Sequence, residues 1–404
     1  MDTNNKQKTS MLIGCTGQDG SYLAELLLSK GYKVIGVKRR SSTNNLWRLK
    51  DILDNPNFEI VEGDITDAIS VYNLVDKYKP DELYNLAAQS HVHTSFEQPQ
   101  YTAMVDYIGV VNILEAVRKL SPKTKIYQAG TSEEFGSNVD ENGFQNEDTE
   151  FKPQSPYAIS KVAAHQMCKL YRQAYGLFIC VGVLFNHESP RRGEEFVTRK
   201  ITKWIGDNYN KLKEKDSSLA NKNKLNLGNL DASRDWGHAR DFVYAMYLML
   251  QQDNPDDYVV ATGETHTIRE FLDVAFKVVD VDNWEPFVYI NPEFVRPAEV
   301  QYLRGDYKKA KDKLGWKPQI SFEALVSEMV NSDAGNQSPY SYMLQSVNMN
   351  PDLTREELFE LGNKIDIDKW INYPIEISEI NQAFKDHPIK PYPMAAIDKT
   401  KKSP

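Results

Sequence analysis

Gly14-Cys15-Thr16-Gly17-Gln18-Asp19-Gly20 follows a short apolar run at 10–13 and leads into an amphipathic stretch at 22–29. The spacing is G-x-x-G-x-x-G. Glycines permit a tight turn and let the backbone come close to a pyrophosphate. The start of the following helix offers unpaired N–H groups and partial positive charge. A glycine triplet alone also describes an ordinary strand-to-helix turn. Its position at the first strand–helix junction favours a dinucleotide site lined by Gly14, Gly17, Gln18, Asp19 and Gly20.

The same rhythm continues outward from this loop. Residues 33–37, 59–61, 82–86, 126–129 and 179–184 read as strands, and 71–77, 110–120 and 161–174 as helices. Such alternation predicts an α/β fold, a Rossmann-type doubly wound parallel sheet with ligands at the carboxyl ends of its strands. After Asn186 the rhythm is less regular. Residues 211–224 are lysine-rich and read as a surface loop. Residues 267–278 read as a helix opened by a capping box of Thr267 and Glu270. From 331 the chain is polar and rich in proline, with one helix expected at 355–364 behind Thr354 and Glu357. Three parts follow: a dinucleotide-binding domain at 9–186, to which later segments can return; a smaller α/β substrate-binding domain at 187–330; and an extension at 331–404.

Composition narrows the class. The 404 residues are 41% hydrophobic and 26% charged, which is ordinary for a globular chain. A net charge of -9 argues against nucleic acid as the main partner, so basic spots are read as sites for anionic ligands. Cys15, Cys168 and Cys180 have no paired spacing and read as small buried hydrophobes in a reducing, cytoplasmic compartment. The first residues are polar, so no signal peptide is expected. No apolar run approaches the roughly 20 residues needed to cross a bilayer. The histidines show no H-x-x-x-H spacing and no metal is expected.

The second expected strand ends in Val37-Lys38-Arg39-Arg40-Ser41. A site that prefers NAD carries an acid about 20 residues after the glycines, to hold the ribose 2′-hydroxyl. None stands here. Arg39 and Arg40 can fork onto a 2′-phosphate and Ser41 can donate to it, which predicts NADP. Adjacent side chains cannot both face the same way, so one arginine binds while the other is structural. Asp64 and Ile65 follow the third strand, towards the adenine. Leu86, Ala87, Ala88, Gln89 and Ser90 end the fourth, where mostly small residues let a cofactor lie against the backbone.

Tyr157 and Lys161 lie one helical turn apart and share a face. A tyrosine is a poor base at neutral pH, and a neighbouring ammonium favours its phenolate. The pair can take a proton from a sugar hydroxyl while hydride leaves the same carbon. Thr131-Ser132-Glu133-Glu134 follows the fifth strand. Thr131 or Ser132 can hydrogen-bond the reacting hydroxyl. A carboxylate here can abstract a proton alpha to a new ketone and hand it to a leaving hydroxyl. The same four residues also read as a helix start with an N-cap and an acidic first turn. After the sixth strand, His187 is placed for the nicotinamide end and Arg192 for a phosphate. Arg234, Arg240 and Arg296 are candidates for a substrate diphosphate.

Together these stretches resemble the GDP-mannose 4,6-dehydratases of the NAD(P)-dependent sugar epimerase/dehydratase family, of the extended short-chain dehydrogenase/reductase type. The resemblance is carried by GCTGQDGSYLAE at 14–25, RRSS at 39–42, NLAAQSHV at 85–92, SFEQP at 95–99 and TSE at 131–133. It continues with SPYAISK at 155–161, LFNHESPRRGE at 184–194, FVTRKI at 196–201 and LGNLDASRDWGHARDFV at 227–243. ATGETHTIREF at 261–271, RPAEV at 296–300 and KLGWKP at 313–318 close it. It spans about 9–330, and NHESPRRG and RDWGHA are its most specific parts.

The resemblance implies a cytoplasmic lyase that holds NADP and converts GDP-mannose to GDP-4-keto-6-deoxymannose and water, a step of GDP-fucose biosynthesis. It implies a homodimer or homotetramer. It implies catalysis by Thr131, Glu133, Tyr157 and Lys161. It adds Tyr101 to the cofactor contacts, alongside Lys161. It implies substrate contacts at Ser90, Ser132, Asn186, Val197, Lys200, Arg234, Arg240, Arg296 and Glu299. The chain departs from the family pattern at Gly130, where serine is usual, and at Phe135, where tyrosine is usual. Glu134 adds a second carboxylate, so Glu133 is preferred as base only through the match. The alternatives are a related GDP-sugar dehydratase (of a GDP-heptose, for instance), an epimerase or 4-keto reductase of the same fold, and a non-catalytic cofactor-binding protein. The last typically lacks the tyrosine or the lysine, and this chain keeps both.

Overall fold

The computed structural model describes residues 7–42, 45–215, 218–219, 224–294 and 300–336. Seven parallel strands form its central sheet: β1 (Thr9–Ile13), β2 (Lys33–Lys38), β3 (Phe58–Glu62), β4 (Glu82–Asn85), β5 (Lys125–Ala129), β6 (Ile179–Leu184) and β7 (Asp257–Val260), in the order β7-β6-β5-β4-β1-β2-β3. Side chains alternate across a strand, and β1 shows the consequence. Leu12 packs with Tyr22, Leu23 and Leu27 of α1 (Gln18–Ser29) and with Met246 and Met249 of the Ala239–Leu250 helix. Met11 and Ile13 point the other way, towards Val71 and Val75 of the Ala68–Tyr78 helix and Val110, Ile113 and Val117 of the Gly109–Leu120 helix. Two apolar layers therefore clamp the sheet, as a doubly wound fold requires.

The chain reverses its direction of winding at β1, which pairs with β2 on one side and β4 on the other. That reversal opens a crevice at the carboxyl ends of both strands. Gly14 and the backbone after β4 meet there. Gly14 has φ +88°, and a Cβ on it would lie 3.0 Å from the Ala87 nitrogen. At Gly20 a Cβ would lie 2.3 Å from the Gly14 carbonyl oxygen. Backbone cannot swing aside as a flexible side chain does. Gly20→Ala is therefore expected to cost about 1–3 kcal/mol of stability and to weaken dinucleotide binding, measured by thermal melts with and without cofactor. An unchanged melt and unchanged cofactor affinity would contradict this packing.

Two elements of the sheet's second half are absent from the reading of periodicity above. β7 is the short apolar run Tyr258-Val259-Val260, and it carries the chain back to pair with β6. The Ala239–Leu250 helix buries Phe242, Val243, Ala245, Met246, Met249 and Leu250 at helical spacing. Its N-cap is His238, whose Nδ1 accepts from the Arg240 N–H at 3.0 Å. Residues 211–224 are not wholly a loop: Tyr209–Lys213 is helical and Leu212 is buried, because leucines among the lysines have apolar ground to fill. The helix expected at 267–278 forms as Ile268–Lys277 with its capping box intact. The helix expected at 355–364 lies outside the described residues. No helix among the described residues is long and apolar enough to cross a membrane.

Candidate active site

Tyr157 and Lys161 stand in the first turns of the Pro156–Tyr175 helix. Ser155 caps it, accepting from the Ala158 N–H at 3.0 Å, and Pro156 supplies a preset first turn. One stripe of this helix faces inward: Tyr157, Lys161, Ala164, His165 and Cys168 are all buried. Lys161 Nζ donates to the Ala129 carbonyl at 3.1 Å, at the carboxyl end of β5, and lies 5.8 Å from the Tyr157 ring centre.

The turn after β5 faces this stripe. Ser132–Phe135 forms a single 3-10 turn with Thr131 as N-cap. The Thr131 hydroxyl accepts from the Glu133 N–H at 3.3 Å and lies near enough to Tyr157 to favour its phenolate. The capping and functional readings of this segment are therefore compatible, since one hydroxyl serves both. The two carboxylates behind it differ sharply. Glu134 is fully buried: one oxygen accepts from the Thr131 N–H at 3.0 Å and the other meets His165 Nδ1 at 2.6 Å. Glu133 is only partly buried and makes no such contact among the described residues. Glu133 is thus the carboxylate left for chemistry.

Electrostatics at Tyr157 differ from the simple tyrosine–ammonium picture. Burial pushes the phenol well above its ordinary value, and the charge of Asp106 pushes the same way; the hydrogen bond from Thr131 opposes them. The protein alone therefore keeps this proton on the phenol. Asp106 is a site residue that the sequence reading missed. It sits in a five-residue π-turn, Met104–Ile108, between two α-helical segments. Its carboxyl accepts from the Gln89 N–H at 2.7 Å. Burial raises it to about 6, with the Lys161 ammonium and the Gln89 N–H opposing. An acid inside an apolar helical stretch is a visible signal, but the π-turn that aims it inward is not.

At the crevice, the Gly17 N-cap of α1 has no side-chain cap, so the first-turn N–H groups stay available to an anion. Gln18 is buried and turned across the crevice: its amide donates to the His187 carbonyl at 3.0 Å and accepts from Ser189 Oγ at 2.7 Å. Asp19 pairs with His187 Nε2 at 2.7 Å. Burial works against both charges, yet each partner holds the other in its charged form. His187 Nδ1 also meets the Phe185 carbonyl at 2.7 Å, and its ring stacks on Phe242. Both ring nitrogens are therefore engaged within the protein.

Arg39, Arg40, Glu62, Gly63, Asp64 and Ser70 line a hollow of about 310 Å³ beyond β2 and β3. Both arginines are exposed, and Arg39 donates to the Tyr101 hydroxyl, which brings those two candidates together. Ser41 is exposed nearby in sequence. Asp64 bends onto its own turn, accepting from Thr66 N–H and Oγ1 at 2.9 and 2.7 Å. Ile65 is buried against Gly109. Leu86, Ala87, Ala88 and Gln89 are partly buried after β4, and Ser90 is exposed.

The remaining candidates are spread over the second half. Ser132 is buried beside the catalytic turn. Asn186 lies on a short strand, Asn186–Glu188, that pairs in parallel with Trp236–His238. Arg192 pairs with Glu188 at 3.2 Å and covers the Phe196 ring. Val197 opens the Val197–Asp207 helix, and Lys200 one turn later places its ammonium 4.1 Å from the Phe294 ring centre. Arg234 is buried and donates to the Ser233 carbonyl at 2.9 Å. Arg240 stacks over Tyr22, a residue of α1. Arg296 and Glu299 lie outside the described residues. Among the described residues no cluster of histidine, cysteine and acids could hold a metal ion, and all three cysteines are buried free thiols.

Residues 11–329 match the family described as GDP-mannose 4,6 dehydratase. A GDP-mannose 4,6 dehydratase of Arabidopsis thaliana is 54% identical over 337 residues, which cover 81% of this chain and 87% of the relative. Two solved structures share the fold at lower identity. The UDP-glucose 4-epimerase of Thermus thermophilus, in complex with NAD, superposes with a TM-score of 0.70 at 24% identity, covering 81% of this chain and 99% of its own. RMD from Pseudomonas aeruginosa, complexed with NADPH, superposes with a TM-score of 0.64 at 22% identity, covering 81% and 99%.

Proposed function

The chain belongs to the GDP-mannose 4,6-dehydratase family, and from that premise we propose which residues of this chain carry the reaction and which cofactor they hold. It is a hydro-lyase that converts GDP-mannose to GDP-4-keto-6-deoxymannose and water. A nicotinamide dinucleotide is its cofactor. When bound, that group would supply the acceptor and donor for the hydride that moves from C4 to C6.

As its phenolate, Tyr157 takes the proton of the C4 hydroxyl, with Thr131 beside it. Lys161 supplies positive charge beneath it. The 4-ketone acidifies C5, and Glu133 removes that proton and delivers it to the departing C6 hydroxyl, so water leaves. A proton then returns to C5, balancing the one Tyr157 took from the C4 hydroxyl, so that Tyr157 and Glu133 end the turnover as they began it. The observation that carries this reading is that both oxygens of Glu134 are spent, on the Thr131 N–H and on His165, which leaves Glu133 as the one reactive carboxylate of the turn beside Tyr157. Loss of one water from GDP-mannose with no net reduction of the cofactor tests it. An unchanged mass would point instead to an epimerase, and activity only on another GDP-sugar to a related dehydratase.

The cofactor is NADP, with the 2′-phosphate held by Arg39 or Arg40 and Ser41. Support comes from the exposed arginines at the rim of the hollow beyond β2. The glycine loop holds the pyrophosphate: the uncapped helix start and the steric bar at Gly14 and Gly20 fit that group. Gln18, Asp19, Asp64, Ile65, Leu86, Ala87, Ala88, Gln89, Ser90, Tyr101, Lys161, His187 and Arg192 complete the cofactor side. Residues 9–186, with β7 and the Ala239–Leu250 helix returning to them, form the dinucleotide half, and the rest of 187–330 the GDP-sugar half, through Val197, Lys200, Arg234, Arg296 and Glu299, with Ser90, Ser132, Asn186 and Arg240 from the dinucleotide side. The enzyme works in the cytoplasm as a homodimer or homotetramer.

Replacing Arg39 and Arg40 together by alanine is expected to raise the Kd for NADP by about 10- to 100-fold, because hydrogen bonds to a charged group contribute about 1.5–3 kcal/mol. The Kd for NAD should change by less than about threefold. Titration of intrinsic fluorescence with each dinucleotide measures both, and equal losses would contradict the assignment.

A further inference from the structure

Glu134 and Gly130 depart from the family pattern named above, and the structure ties the two together. A Cβ at position 130 would lie 2.9 Å from a Glu134 carboxylate oxygen. A side chain at 130 would crowd that carboxylate and the Gly182 carbonyl oxygen, 3.1 Å away. Glu134 reaches across to His165, one helical turn beyond Lys161 and two beyond Tyr157. His165 is buried, with its ring beside Phe151. Its other nitrogen, Nε2, lies 3.4 Å from Asp257 at the start of β7, an ionic contact without hydrogen-bond alignment. Asp257 is anchored in turn by Arg172, Lys169 and the Val181 N–H. None of these groups takes part in the mechanism above.

We propose that His165 is a positioning residue for the reaction: gripped between Glu134 and Asp257, it holds the turn that presents Thr131 to Tyr157 and Glu133 to the substrate. The connection is short. Glu134 receives the Thr131 N–H on one oxygen and His165 on the other. Releasing His165 frees that carboxylate inside the protein, where an unpaired charge is costly. The turn must then move to hydrate it, and Thr131 and Glu133 move with it.

The charges facing His165 are Glu134 from the turn and Asp257 from β7; Lys169 and Arg172 of its own helix pair with Asp257. Burial works against the imidazolium, but Glu134 and Asp257 outweigh it and raise His165 to about 9. A group raised on folding stabilises the fold fully below its unfolded value, near 6.5, and loses that contribution as pH climbs through about 9. The grip is therefore complete at neutral pH and slackens in mild alkali.

The inference rests on the roles given to Thr131 and Glu133, so two independent readouts are needed. Histidine ¹³C NMR of the full-length enzyme reads the grip itself. The His165 imidazole, identified by its loss in His165→Phe, should stay protonated above pH 8 and titrate at lower pH in Glu134→Gln. Steady-state kinetics with GDP-mannose reads its consequence. His165→Phe should lower kcat at least tenfold at pH 7.5 with KM within threefold. Glu134→Gln keeps an acceptor for the Thr131 N–H but removes the charge that holds the imidazolium, and should move the alkaline fall of kcat to lower pH. If His165→Phe does not fold, the Glu134→Gln profile decides. A folded His165→Phe enzyme with wild-type kcat, or an unshifted alkaline limb in Glu134→Gln, overturns the proposal. A wild-type enzyme that shows the high-pH imidazole but leaves GDP-mannose unchanged overturns the functional reading instead, and the grip stands.

Discussion

Tyr157→Phe is expected to lower kcat by about 10²–10⁴-fold, the usual span for removing a positioned proton-transfer group. The phenol hydroxyl is the only group of this side chain that the mechanism uses, and phenylalanine keeps the ring that the helix buries. Folding should suffer little, since the ring stays buried and only the hydroxyl is lost. KM should stay near its wild-type value. The phenol sits among acids and is raised by burial and by Asp106, so the resting enzyme holds it protonated. Charge on the bound dinucleotide and the Lys161 ammonium must offset that penalty at the moment of transfer. A Tyr157→Phe enzyme within about tenfold of wild type would show that another group takes the C4 proton.

Glu133→Gln is expected to cut water loss by a comparable factor, about 10²–10⁴-fold, and to leave C4 oxidation partly alive. Glutamine keeps the shape but can neither remove the C5 proton nor deliver it. A rapid-mixing experiment should therefore show reduced-nicotinamide absorbance that forms and does not decay into product. Glu134→Gln is the control, since that carboxylate is buried against His165 and cannot reach substrate without leaving it. Collapse of dehydration in Glu134→Gln with full activity in Glu133→Gln would reverse the assignment.

Much of this was legible in the chain because it depends on local period and spacing. The glycine loop at 14–20, the first six strands and the Tyr157–Lys161 turn follow from alternation and from residues four apart on a helix. Other features depend on what lies opposite in space. A capping box forms with Thr131 whichever way Glu134 turns, so only the fold reveals that its second oxygen belongs to His165. Asp106 faces Lys161 because a π-turn shifts the helix register, and nothing in Met104-Val105-Asp106 announces that shift. His187 and Arg192 read as ligand contacts in sequence. In the fold both ring nitrogens of His187 already meet Asp19 and Phe185, and Arg192 Nε already meets Glu188. β7 was obscured by its distance in sequence from the sheet it completes.

The central claim is that the hydride removed from C4 is borrowed and returned within one turnover. Incubation of the enzyme with GDP-mannose carrying deuterium at C4, and a catalytic amount of NADP⁺, tests it most directly. The predicted product is lighter by one water, keeps the deuterium, and carries it at C6, with no net gain in reduced cofactor. Deuterium accumulating on the cofactor in step with product, or lost to solvent, would contradict an internal transfer and the account built on it.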